Sequence, residues 1–127
     1  MSCVILAAPA ALATPGAQLW VSRYNTPANG NELARALAVS PGGSTVFVSG
    51  YSLPPIGSPG FGDYATVAYD ASTGAALWTK RYNGAAGRDD VPAALAVSPD
   101  GGKVFVTGSS DGSTSGSDYA TVAYDAS

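Results

Sequence analysis

The apolar residues of this chain fall in short runs separated by Gly, Pro, Ser, Asn and Asp. Val46-Phe47-Val48 and Val104-Phe105-Val106 are β-branched and aromatic, which suits a pleated strand. Glu32–Leu37 passes for a helix on composition, because Ala, Leu, Glu and Arg are good helix formers. The first strand of each unit is Ala34–Val39 and Ala93–Val97, and the second copy follows Val91-Pro92 and runs straight into Ser98-Pro99-Asp100-Gly101. A run that short between breakers is a strand. Ser40-Pro41-Gly42-Gly43 and Ser98–Gly102 predict hairpin turns, with Pro presetting φ and Gly supplying positive φ. Tyr64–Asp70 and Tyr119–Asp125 form a third kind of strand. Ala76–Tyr82 forms a fourth, with a relative at Gln18–Tyr24. The third strand is apolar on both alternating sets, Ala65, Val67, Tyr69 and Tyr64, Thr66, Ala68. Such a strand is expected to be covered on both faces.

These runs are two copies of one unit. Leu19-Trp20, Arg23-Tyr24-Asn25, Ala36–Pro41 and Val46–Gly50 each return 58 residues later, with Thr107 in place of Ser49. Asp63–Ser72 returns unchanged as Asp118–Ser127, at an offset of 55. Three residues are lost between Gly50 and Asp63, which marks a length-tolerant loop. Four antiparallel strands per unit, covered faces and this period predict an all-β chain of two four-stranded antiparallel propeller blades. It is an incomplete β-propeller: units about 33–83 and 91–127, and a fourth-type strand at 18–24. The second blade lacks its own fourth strand. An ordinary β-sandwich is the rival, but it would not require near-identical units. Closed propellers hold about four to eight blades. The expectation is therefore a fragment of a longer protein, or one protomer of a propeller built from several chains, whose uncovered faces self-associate.

Ala68-Tyr69-Asp70-Ala71-Ser72-Thr73-Gly74-Ala75-Ala76-Leu77-Trp78 resembles the Ala-x-Asp-x-x-Thr-Gly-x-x-x-Trp docking motif of quinoprotein (PQQ-like) propeller repeats. Ala68, Asp70, Thr73, Gly74 and Trp78 match it; Ala75 departs from a usually charged position. The second copy stops at Ser127, inside the motif. The resemblance implies that Trp78 packs between neighbouring blades and that Asp70 and the Thr-Gly turn fix the hairpin. Asp89–Gly108 is also similar to repeats of secreted bacterial propeller proteins. The likeness spans residues 18–127 and speaks to architecture, since propellers host unrelated activities. Elementary chemistry agrees. Asp70 suits an Asx-turn, Gly74 permits left-handed backbone, and Trp78 suits an apolar seam, so all three read as structural.

Composition narrows the picture. Charged residues are 12 % and the net charge is −3, which argues against a nucleic-acid partner. At 46 % hydrophobic residues the chain is too apolar for a disordered linker. It holds no His and one Cys, Cys3, which excludes imidazole chemistry, an internal disulfide and a multi-Cys zinc site. Residues 4–13 are uncharged and end in Ala11-Leu12-Ala13, like the apolar core and cleavage site of an export signal without its basic start. Residues 1–17 are therefore read as an apolar leader, either a truncated signal peptide or an ordinary apolar tail, and the expected location is secreted or cell-surface. The run is too short to span a bilayer, which takes roughly 20 residues.

Strand alternation puts segments 25–32, 51–63, 83–91 and 109–118 on one rim, where a ligand site is expected. The candidates are Tyr51, Phe61, Asp63, Arg88, Asp89, Asp90, Asp111 and Asp118. Adjacent Asp89 and Asp90 could act as acid and base or hold a hard cation. As turn residues, one caps the turn before the inner strand while the other meets solvent or Arg88. Asp111–Asp118 lacks the ligand ladder of an EF-hand and reads as a polar loop. Leu53–Phe61 is a proline-rich connector or an aromatic-flanked binding loop. No nucleophile–base pair or phosphate loop is present. Two units cannot enclose a quinone, and no adjacent Cys pair exists to contact one. No catalytic residue, cofactor or metal is assigned. The expected function is a non-enzymatic secreted scaffold that meets a protein or glycan partner, further blades, or itself. The alternatives are a piece of a quinoprotein-like oxidoreductase and a carbohydrate-binding propeller, the latter suggested by Tyr51, Phe61, Tyr64 and the acidic loops.

Overall fold

A computed structural model describes Val4 and residues 12–127. Cys3 and most of the apolar leader lie outside the described residues. Seven strands follow in chain order: β1 (Gly30–Val39), β2 (Thr45–Pro55), β3 (Asp63–Asp70), β4 (Ala76–Tyr82), β5 (Asp90–Val97), β6 (Lys103–Asp111) and β7 (Ser117–Asp125). They form two antiparallel meanders, a four-stranded sheet β1-β2-β3-β4 and a three-stranded sheet β5-β6-β7. Among the described residues there is no helix, and so none long and apolar enough to cross a membrane.

The helix–strand ambiguity at Glu32–Leu37 resolves to strand in both units. The two inner hairpins share one irregularity: a register shift between Ala34 and Ala36, repeated between Pro92 and Ala94. A bulge tolerates proline because the ladder is already interrupted there. Opposite each bulge stands a glycine with no room for a side chain. A Cβ on Gly50 would lie 2.5 Å from the Leu33 carbonyl oxygen, and one on Gly108 would lie 2.1 Å from that of Val91. The strands also run further than their apolar cores: β2 continues through Leu53-Pro54-Pro55 and β6 through Asp111, both expected as loop.

The core is the seam where the two sheets meet face to face. Phe47, Tyr64 and Ala68 of the first sheet and Val104 and Val106 of the second are buried together. Trp78, Tyr82, Leu95, Val97, Val122, Tyr124 and Ala126 pack around them. Trp78 is the hinge of the arrangement. Its ring lies 5.8 Å from Phe47 within its own sheet and 5.9 Å from Tyr124 across the seam. Its indole N–H donates to the Ala126 carbonyl at 3.3 Å, so the ring buries area without stranding its one donor.

The hairpin before β4 is built by side-chain capping. The Asp70 carboxylate accepts from the amides of Ser72 (2.8 Å) and Thr73 (3.0 Å), and the Thr73 hydroxyl accepts from the Ala75 amide (3.2 Å). The hydroxyl and amide of Ser72, then the amide of Thr73, hold the Asp70 carboxyl below its usual range. Gly74 has φ 73°, and a Cβ there would lie 2.7 Å from the Trp20 ring. Glycine is needed for conformation and for space.

One expectation is corrected. Gln18–Tyr24 is not a strand of either sheet, because among the described residues no strand edge lies beside it to supply ladder hydrogen bonds. It keeps strand-like alternation, with Trp20, Ser22 and Tyr24 half-buried and Leu19, Val21 and Arg23 exposed. The segment lies on the outer face of the first sheet, with the Trp20 indole donating to Ala71 O at 2.9 Å and the Ser22 hydroxyl donating to Gly74 O.

Removing the seam ring tests this account. Trp78→Ala is expected to lower the unfolding free energy by about 2–4 kcal/mol, somewhat under a fully buried ring because Trp78 is half-buried. Asp111→Ala, which removes no hydrogen-bonded side chain, is expected to cost less than about 0.5 kcal/mol. Equal losses in urea melts would contradict the placement of the seam.

Candidate functional site

The strand directions gather segments 25–29, 56–62, 83–89 and 112–116 at one end of the molecule. Two of the candidate residues on this rim, Tyr51 and Asp89, meet across the two sheets. The Tyr51 hydroxyl donates to the Asp89 carboxylate, whose same oxygen accepts from the Gly62 amide at 2.9 Å. The Asp90 amide donates to Gly62 O at 2.8 Å, and the Asp111 amide donates to Asp89 O at 3.1 Å. Asp89 thus clasps the end of the first sheet to the start of the second. It meets neither solvent alone nor Arg88, as turn chemistry alone would suggest.

Asp90 is fully buried at the first position of β5. Its carboxylate accepts from the Gly84 amide at 2.7 Å and from the Ser110 hydroxyl. It therefore caps the turn Gly84–Gly87, which is closed by the Gly87 amide on Gly84 O at 3.0 Å. The first unit builds the same device. The turn Thr26–Asn29 is closed at 2.9 Å, and Glu32 accepts from the Thr26 amide at 3.3 Å and hydroxyl at 3.0 Å. Asn29 and Gly87 occupy the same left-handed conformation, φ 55° and 58°. Asn is among the residues that tolerate it.

Asp63 opens β3 and pairs with Arg81 of β4 at 2.8 Å. Arg81 also donates to the Ser52 hydroxyl at 2.6 Å and to the Tyr24 hydroxyl at 3.4 Å. Arg81 and Ser52 were not among the candidates. The signal for Arg81 was the recurrence of Arg23-Tyr24-Asn25 as Arg81-Tyr82-Asn83. Asp118, second in β7, accepts from the Ser115 hydroxyl at 2.7 Å. Asp111 ends β6 instead of standing in a loop. Phe61 is 54 % exposed and Arg88 is exposed. An open cleft of about 390 Å³ lies between the loop at 85–86 and the loop at 111–115, floored by Tyr82 and Ala120.

The electrostatics follow from these partners. Burial, then the hydrogen bond to Asp89, pushes the Tyr51 phenol up to about 12. Burial, then the charges of Asp90 and Tyr82, pushes Tyr64 up to about 12. The Tyr64 hydroxyl lies 3.3 Å from both Ser109 O and Ala120 O, and bonds to carbonyls also favour the neutral phenol. Both phenols serve as protonated donors at neutral pH. Among the described residues no group of three or more His, Cys, Asp or Glu converges as a metal would need. Comparison with protein-family models, with curated proteins and with solved structures finds no match for this chain.

Two predictions follow from the clasp. Asp90→Ala, which removes a buried carboxylate and leaves a half-buried amide and hydroxyl without their acceptor, is expected to cost about 2–3 kcal/mol. Asp63→Ala, which removes a partly exposed ion pair, is expected to cost less than about 1 kcal/mol in the same melts. With pH, the unfolded chain ionises its phenols near 10, while folded Tyr51 and Tyr64 hold their protons to about 12. The stability these groups contribute is fully present below pH 10 and is lost as pH rises towards 12. Tyr51→Phe should flatten that fall in denaturant melts taken as a function of pH. An unchanged slope would remove Tyr51 from the account.

Proposed function

We propose that this chain is a repeat segment of propeller type, each sheet a blade, acting as a non-enzymatic binding scaffold. The observation that carries the reading is the repetition of contacts, not only of sequence. Trp20 donates to Ala71 O and stacks near Tyr69 at 6.4 Å, as Trp78 donates to Ala126 O and meets Tyr124 at 5.9 Å. Trp20 and Trp78 thus dock the segments that carry them on the sheet that follows by one device, and repeated docking of this kind is how radially stacked blades cover both faces of every sheet. The resemblance of Ala68–Trp78 to the quinoprotein docking motif supports the same architecture.

On this reading the looped rim is the binding surface. Asp89, Asp90, Asp63 and Arg81 spend their polar atoms in holding loops to sheets. Phe61, Arg88 and the hydroxyls of Ser113 to Ser115 are displayed on that frame. An aromatic, a guanidinium and several hydroxyls suit a protein or glycan partner. The leader-like pattern of residues 4–13 supports a secreted or cell-surface location.

The test is a binding screen of the whole chain on glycan and extracellular-protein arrays, with Phe61→Ala/Arg88→Ala beside the wild type. We expect a ligand whose signal falls at least tenfold in the double variant, with an unchanged melting temperature. Saturable binding of pyrroloquinoline quinone, seen as a change in its absorbance and lost in rim variants, would overturn the scaffold reading in favour of an oxidoreductase segment.

A further inference from the structure

Three exposed apolar residues, Leu37, Phe105 and Tyr119, are repeat copies of residues in the seam, Leu95, Phe47 and Tyr64. On the face of the first sheet turned away from the second, Leu37, Val46, Val48, Val67 and Tyr69 line a groove of about 630 Å³. Leu37 is 62 % exposed there. The repeat counterparts of these five are Leu95, Val104, Val106, Val122 and Tyr124, which lie in the seam beneath the first sheet. The groove therefore has the relief of a surface whose mate is known: the face that carries Phe47, Tyr64 and Ala68. The copy of that mate, Phe105, Tyr119 and Ala123, is displayed on the far face of the second sheet. Phe47 is 1 % exposed and Phe105 38 %; Tyr64 is 0 % exposed and Tyr119 87 %. The chain thus presents both halves of a second seam at its opposite ends.

Gln18–Tyr24 is already placed for that seam. It lies on the first sheet as β4 lies on the second, by the contacts of Trp20 and Trp78 described above. Burial and then Tyr24 push the Tyr69 phenol up, as burial and then Tyr82 do for Tyr124, so the phenols neighbour one another in the same pairs. β4, however, also pairs with β3, whereas Gln18–Tyr24 pairs with no strand among the described residues. The second sheet has the complementary lack: β7 has only β6 beside it. A nine-residue edge with its ladder groups open is a template for another chain.

We propose that a second copy of this chain seats its Phe105/Tyr119 face in the groove, and that Gln18–Tyr24 joins the β7 edge of that copy as its fourth strand. The register of β3 on β4 fixes the pairing. Ala68 faces Trp78, Val67 faces Thr79, Thr66 faces Lys80 and Tyr64 faces Tyr82. Carried across the repeat, Trp20 faces Ala123 of the second copy, Val21 faces its Val122, Ser22 its Thr121 and Tyr24 its Tyr119. The contact is head-to-tail, so it recurs until the rotation closes a ring. With two units per chain, rings of about four to eight blades take about two to four copies. A second copy is the occupant because the chain carries both matching surfaces in the relief of a seam it already makes. The inference rests on the repeat-scaffold reading but makes no use of the rim.

Two measurements on the whole chain test it. In a Cys3→Ser background, Ser22→Cys/Thr121→Cys and Val21→Cys/Val122→Cys place thiols at two adjacent cross-strand sites. In an antiparallel pair, one of two adjacent sites is the closely spaced kind that a disulfide can bridge. Mild oxidation should give a ladder of disulfide-linked multimers from at least one pair and none from Ser22→Cys/Ser117→Cys. In sedimentation, the wild type should associate with rising concentration. Leu37→Lys and Tyr119→Lys, both at exposed positions, should each weaken association at least tenfold. An equimolar mixture of the two should form a one-to-one pair and nothing larger, since one intact head meets one intact tail. A wild type monomeric at all concentrations, disulfides formed only within single chains, or one lysine variant associating as wild type does would each overturn the proposal. A monomer that still binds through Phe61 and Arg88 would refute this assembly and leave the proposed scaffold standing.

Discussion

Trp78 sits where two sheets that cannot bury their own apolar residues meet. An antiparallel meander of three or four strands offers two faces, and one layer alone covers neither. The protein meets this constraint by laying one sheet on the next, with Phe47 and Tyr124 on either side of the indole and the Ala126 carbonyl taking its N–H. The hairpin capped by Asp70 exists to present this ring, and the bulges opposite Gly50 and Gly108 shape the inner strands. The end faces, which lack a sheet to lie on, are where the apolar side chains remain in water.

The acidic residues are best understood from the same constraint. Long loops at one end must be held without a core of their own. Buried Asp90 and half-buried Asp89 do this with backbone amides and hydroxyls, charge-assisted bonds that are stronger than neutral ones. The Asp63–Arg81 pair is more open to solvent, and an exposed pair contributes little. The adjacent carboxylates that invite a catalytic reading are therefore two different fastenings: one caps a turn, the other joins the sheets. What is left over on the rim is Phe61, Arg88 and a run of hydroxyls.

Much of this was legible in the sequence. The duplication decided strand against helix at Ala34–Val39, because in the second copy the run is confined between Val91-Pro92 and Ser98-Pro99-Asp100-Gly101, too short for a helix. The turn residues placed the hairpins, and the Asp-x-x-Thr-Gly pattern anticipated the capping of Asp70. The site was less legible. That Asp89 would reach Tyr51 and Gly62, and that Arg81 would reach Ser52, depends on which strand ends the meander brings together. Gln18–Tyr24 has the composition of a strand, and its lack of a ladder follows from the absence of a neighbouring edge rather than from its residues.

The clearest division is within the decapeptide Asp-Tyr-Ala-Thr-Val-Ala-Tyr-Asp-Ala-Ser, which the chain contains twice. Both copies are strands, both pair antiparallel with the preceding strand in the same register, and both end in an aspartate that accepts from the amide two residues on. Local sequence determined these features, because φ/ψ preference, alternation and capping act within a few residues. Burial it did not determine. Tyr64 is fully buried and Tyr119 is 87 % exposed, since a fourth strand and a second sheet cover one and not the other. Whether a side chain is core or surface depends on what packs against its strand, and only the tertiary structure decides that.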